Sequence, residues 1–96
     1  MGKYYIRKKM PRKGVFMKLI IFEDLGWGFS KLAVVVDAAI RHLGLGNNFE
    51  IIGNPKLFPQ YGVKSSPDLS INGEIVIEGY VPSLEQTKKL LVKYLT

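Results

Sequence analysis

Pro67-Asp68-Leu69-Ser70-Ile71-Asn72-Gly73-Glu74-Ile75-Val76-Ile77-Glu78 is two apolar stretches joined by Asn-Gly. A two-residue connection between antiparallel strands needs positive φ at both central positions. Asparagine and glycine tolerate that best, so the run predicts a β-hairpin. After it, Pro82 and Ser83 open a helix. Ser83 can cap the first turn, and Gln86, three residues on, can complete a capping box. Leu84, Thr87, Leu90, Leu91, Tyr94 and Leu95 form its buried side, with Glu85, Lys88, Lys89 and Lys93 facing water.

Working back from the hairpin, Asn54 to Tyr61 contains Pro55 and Pro59, which leaves room for a short helix with Asn54 as N-cap and Pro55 at its first position. Phe49 to Ile52 reads as a short strand after a turn at Asn47-Asn48. Between Phe29 and Leu43 the apolar residues recur at steps of three and four, the stripe of an amphipathic helix, and Gly44 and Gly46 suit its end. Val15 to Phe22 is almost continuously apolar, which predicts a central strand covered on both faces, followed by a loop with Asp24, Gly26 and Gly28. Strand, helix and strand make a right-handed βαβ unit with parallel pairing. The full order is β-α-β, short α, β-β, α: an α/β domain with a mixed four-stranded sheet and helices on both faces.

Composition limits the function classes. At 96 residues the chain supports one core, and 47% hydrophobic with 23% charged residues is the balance of a globular protein. No apolar run approaches the ~20 residues that cross a bilayer, and the stretch after the basic N-terminus is broken by Lys18 and ends at Glu23-Asp24 without a small-residue cleavage site. A cytoplasmic protein with no membrane span is expected. The net charge of +6 divides unevenly. Residues 1–18 carry seven basic residues and no acid, while residues 19–96 carry seven basic against eight acidic, a net of −1. The basicity belongs to an arm, residues 1–14, which contains Pro11 and Gly14 and has no period of two or 3.6; it is expected to be flexible, with residues 15–96 forming the domain.

Met17-Lys18-Leu19-Ile20-Ile21-Phe22, Ile40-Arg41-His42-Leu43-Gly44-Leu45, Ser66-Pro67 and the run Ile71 to Ser83 together resemble the small thioredoxin-like and glutaredoxin-like domains. They match the family's first strand, its helix end, its cis-proline, and its hairpin with the approach to the last helix. The likeness spans Met17 to Leu95 and implies a thioredoxin-like fold. It also implies a cis Ser66–Pro67 bond, with the Ser66 backbone offered to an extended peptide by strand addition. A trans proline at the start of an edge strand is the reading that sequence statistics alone prefer. The departure lies at the family's chemistry. Gly26-Trp27-Gly28-Phe29 stands where the family carries Cys-x-x-Cys, and the chain has no cysteine. Dithiol–disulfide exchange needs a thiolate nucleophile and a resolving thiol, so that activity is excluded for this chain.

The remaining candidates each have two readings. Trp27 is either a binding anchor or a ring folded back to cap the core. Ser30, at the head of the first helix, either receives an anion with the free N–H groups or only caps the helix; a thiol-independent enzyme holding glutathione there is a third function class. His42 stands alone, without the neighbours that make a metal site. Tyr4, Tyr5, Arg7, Lys8, Lys9, Arg12 and Lys13 alternate aromatic and basic character, which suits RNA, single-stranded DNA or an anionic surface; a solvated tail, or a start upstream of a true Met17, is the plainer reading. The expected function is a redox-inactive thioredoxin-like module that binds a protein or peptide through Gly26, Trp27, Gly28, Phe29, Ser30, Ser66 and Pro67. No cofactor or metal is expected, and nucleic-acid binding through the arm is the alternative.

Overall fold

The computed structural model of the chain describes residues 17–95; the expectations for the arm and for a strand beginning at Val15 lie outside these residues. β1 (Leu19–Phe22) is buried at all four positions, which is the reason for its unbroken apolar character. A 3₁₀ turn at Leu25–Trp27 leads into α1 (Lys31–His42) and on to β2 (Phe49–Ile52). β2 lies parallel to β1, with Leu19 opposite Phe49 and Phe22 opposite Ile52. The helix begins two residues later than the apolar spacing predicts. Ser30 has extended backbone and its hydroxyl accepts from the Ala33 N–H at 2.9 Å, so Phe29 falls outside the helical stripe.

Asn54 caps a 3₁₀ segment at Pro55–Tyr61. Pro59 inside it lacks an N–H and clashes with the preceding turn, which opposes a longer α-helix. β3 (Asp68–Ile71) runs antiparallel to β1, and the hairpin to β4 (Glu74–Glu78) turns on Asn72 at φ 53° and Gly73 at φ 87°, the two positive angles that a tight connection needs. The strand order is β2-β1-β3-β4. Within the hairpin Leu69 pairs with Ile77 but Ser70 pairs with Ile75, so Val76 forms a bulge. α2 (Leu84–Lys93) carries the full capping box of Ser83 and Gln86.

On one face of the sheet Leu19, Ile21, Leu69, Ile71 and Ile77 meet Leu32, Val36, Ala39 and Ile40 of α1 and Leu91 of α2. On the other, Ile20, Phe22 and Ile52 meet Phe58 and Val63, and the Phe22 and Phe58 rings stand edge to face with centroids 5.8 Å apart. Both α-helices therefore share one face, and the 3₁₀ segment supplies the helical cover of the other. This is the mixed four-stranded α/β architecture of a thioredoxin-like domain. Among the described residues no helix is long and apolar enough to cross a membrane.

Candidate functional site

β1 ends where β3 begins, with Phe22 beside Asp68. The loop from Glu23 to Ser30 and the loop carrying Ser66 and Pro67 therefore emerge at one end of the sheet. The first loop is shaped by its own sequence. The Asp24 carboxylate accepts from the Gly26 N–H at 3.0 Å, closing the 3₁₀ turn. Gly28, at φ 94°, ends that turn and donates its N–H to the Leu25 carbonyl at 2.8 Å. Leu25 packs down on Gly53 so closely that a Cβ there would stand 2.7 Å from its Cδ1.

Glu23 ties this loop to α1. Its Oε1 accepts the Ser30 hydroxyl at 2.6 Å and the Leu32 N–H at 3.2 Å. The head of the helix thus already holds a carboxylate, where the free N–H groups and the dipole favour one. The alternative in which Ser30 receives an external anion, or holds glutathione, is corrected accordingly: the place is filled from within the chain. Ser30 is itself buried, 5% exposed, and its hydroxyl both accepts from Ala33 and donates to Glu23. Its hydroxyl is engaged in holding the loop in shape.

In the second loop Ser66 is exposed, Pro67 is half-buried and the bond between them is cis. Asp68, wholly buried, fastens the loop: its Oδ1 accepts the Ser65 hydroxyl at 2.9 Å and the Gly79 N–H at 3.0 Å. The Gly79 N–H also reaches the Pro67 carbonyl at 2.8 Å. Asp68 Oδ2 is buried without a hydrogen-bond partner among the described residues.

Beside the first loop, at the head of α1, lies a cavity of about 470 Å³ lined by Glu23, Asp24, Phe29 and Lys31. Phe29 is 58% exposed, a large apolar side chain held at the surface. Of the residues assigned to partner binding, Gly26, Gly28, Phe29 and Ser66 are at the surface, Pro67 partly so, and Ser30 is not. The expectation for the Trp27 ring, like those for Tyr4, Tyr5, Arg7, Lys8, Lys9, Arg12 and Lys13, lies outside what is described. Glu23, Asp24 and Lys31 were not foreseen as site residues. The signal available was the abrupt Glu-Asp pair ending an apolar strand, but the Glu23–Ser30 contact spans seven residues of irregular loop and leaves no periodic trace.

The chemistry open to this site is narrow. The chain has no thiol, and among the described residues no group of histidine and acidic side chains could hold a metal ion. His42 is exposed at the opposite end of α1, about 16.5 Å along the helix axis from Lys31. Residues 30–92 match a family model described as a thioredoxin domain, starting immediately after Gly26–Phe29 and taking in Ser66, Pro67 and the hairpin. No curated protein matches the chain.

Proposed function

Because this chain belongs to the thioredoxin domain family, its matched residues covering about two thirds of the sequence, and yet has no cysteine, we propose that it is a redox-inactive member that binds an extended protein or peptide segment at the former catalytic end. In this role the backbone at Ser66 pairs with the incoming strand, and Phe29 supplies an apolar contact beside it. The observation that carries the proposal is the exposure of Phe29 on a loop that is otherwise hydrogen-bonded throughout its turns. An aromatic side chain kept in water by a well-fixed backbone has the character of a binding anchor.

A peptide library displayed against the whole chain tests this directly. Selected peptides should shift the amide resonances of Gly28 and Ser66 and lose most of their affinity against Phe29→Ser. If the peptides shift other surfaces, or bind Phe29→Ser equally well, the proposal fails.

The division of charge favours one second reading, nucleic-acid binding through residues 1–18, which carry +7 against −1 for the remainder. Phosphate neutralisation by several cations makes such binding steeply salt-dependent. Replacing Arg7, Lys8, Lys9, Arg12 and Lys13 by glutamine should abolish retention on RNA at low salt; unchanged retention removes this reading.

A further inference from the structure

α2 packs chiefly on α1, and the Tyr94 hydroxyl reaches Glu74 at 3.1 Å, so the helix runs back alongside β4 toward the hairpin turn. Between strand and helix lies a groove of about 300 Å³ whose floor is Val76, Ile77, Pro82 and Leu90. The bulge makes that floor. Ile75 packs on the second face of the sheet, whereas Val76 and Ile77 both turn to the helix-side core. Two successive apolar side chains thus share a face on which a regular strand presents one. Val76 and Leu90 stay half-buried.

The rim is aromatic at one end and basic along the helical wall. Tyr80 is 54% exposed. Lys89 and Lys93 are exposed, and neither makes an ion pair among the described residues. No acidic side chain lines the groove among those residues; Glu74 accepts the Tyr94 hydroxyl, and Glu85 pairs with Lys88. Four positions apart on a helix, the two lysines are separated by about 6 Å along its axis. In an extended chain alternate side chains are spaced by about 6–7 Å and the one between points the other way. Two acids flanking a single residue therefore match both lysines and send that residue toward the strand. The groove is too small to seat a helix, about 10–12 Å across with its side chains, and lies at the lower limit of pockets for whole small molecules, about 300–1,000 Å³.

We propose that this groove binds an extended protein segment of the pattern acid, bulky apolar residue, acid, with its carboxylates on Lys89 and Lys93 and its apolar side chain over Val76 and Leu90 beside Tyr80. The site uses none of the residues assigned to partner binding above and stands independently of that reading. Exposed ion pairs add little affinity, so burial of the apolar side chain holds the segment and the lysines select its charge. The bulge prevents the segment from joining β4 as a further strand. Side chains, not a backbone ladder, carry the recognition.

Acetylated and amidated peptides Ser-Asp-x-Asp-Ser, with x varied, titrated into the isotope-labelled full chain test this against a reference set Ser-Lys-x-Lys-Ser. With Phe, Leu or Trp at x, the acidic peptides should move the amide signals of Val76, Ile77 and Leu90, and added salt should weaken their binding several-fold. Lys89→Glu with Lys93→Glu should cost about tenfold in affinity, and Tyr80→Ser should cost several-fold. Lys56→Glu, the same charge reversal on the 3₁₀ segment, should leave affinity unchanged. All four side chains are exposed, so these variants keep the fold. Equal binding of the lysine peptides, unchanged affinity of the double variant, or no shift at these amides up to about 10 mM peptide overturns the proposal. So do shifts at the same amides when the protein alone is concentrated, which would mean that a second copy covers the groove.

Discussion

The Ser30 hydroxyl and the Glu23 Oε1 lie 2.6 Å apart, and the same oxygen accepts the Leu32 N–H. One carboxylate therefore joins the end of the central strand to the start of the long helix across the Gly26–Phe29 loop. Glu23→Ala leaves the buried Ser30 hydroxyl and a helix-terminal N–H without an acceptor, a cost of about 1–3 kcal/mol. Urea denaturation should show that loss, and hydrogen exchange at Leu32 should quicken. Glu23→Gln, which keeps an acceptor oxygen, should lose less; equal stability of Glu23→Ala and the parent would refute this role.

Leu25 and Gly53 interlock in the same region. A Cβ at residue 53 would stand 2.7 Å from Leu25 Cδ1 and 2.8 Å from Cγ, so Gly53→Ala must displace the leucine and the 3₁₀ turn that carries it. The expected destabilisation is about 1–3 kcal/mol. In Leu25→Ala the space is already free, and adding Gly53→Ala should then cost much less than it does alone. Additive effects in this double-mutant cycle would show that the two sites do not interact.

Asn72 serves the hairpin twice, through its positive φ of 53° and through its Oδ1, which accepts the Lys18 N–H. Asn72→Ala loses both and should lower stability by about 1–3 kcal/mol. Asn72→Gly, which restores the backbone freedom but not the bond, should recover part of the loss. A thermal-melting series of the three proteins separates the contributions.

Tyr94 gives the chain an alkaline signature. Its hydroxyl donates to Glu74 at 3.1 Å, and desolvation, followed by that hydrogen bond and the glutamate's charge, raises its pKa above the ordinary 10.0. The folded state thus disfavours the phenolate relative to the unfolded chain. The associated stability is intact below pH 10.0 and is lost as pH rises through the higher folded value. Tyr94→Phe should flatten the fall of the urea midpoint above that pH; an unchanged slope would remove Tyr94 from the effect.

Much of this fold was legible because local chemistry and tertiary need coincide. Asn72-Gly73 forms the turn that its backbone freedom allows, Ser83 and Gln86 form their capping box, and Phe49–Ile52 is the strand that its flanking turns delimit. The misread boundary at Phe29 came from spacing: the residue continues the helical period, but Ser30 caps the helix after it. The candidate site was legible in its frame and not in its wiring. Gly26–Phe29 and Ser66–Pro67 do reach one end of the sheet, as the antiparallel pairing of Phe22 with Asp68 requires. The bonds from Ser30 to Glu23 and from Gly79 to Asp68 join residues seven and eleven positions apart, and no repeat in the sequence encodes such loop closures.

Val76 has no counterpart across the hairpin, and this makes the two outer margins of the sheet unequal. A strand from another molecule laid along β4 meets donors and acceptors that fall out of step at the bulge, so the ladder cannot continue. The opposite margin, β2, is four residues long and exposes the charge of Glu50. Neither side is a good template for stacking like chains end on end. Among the described residues, one unpaired valine and one glutamate thus interrupt the two margins of a sheet whose central strand is apolar.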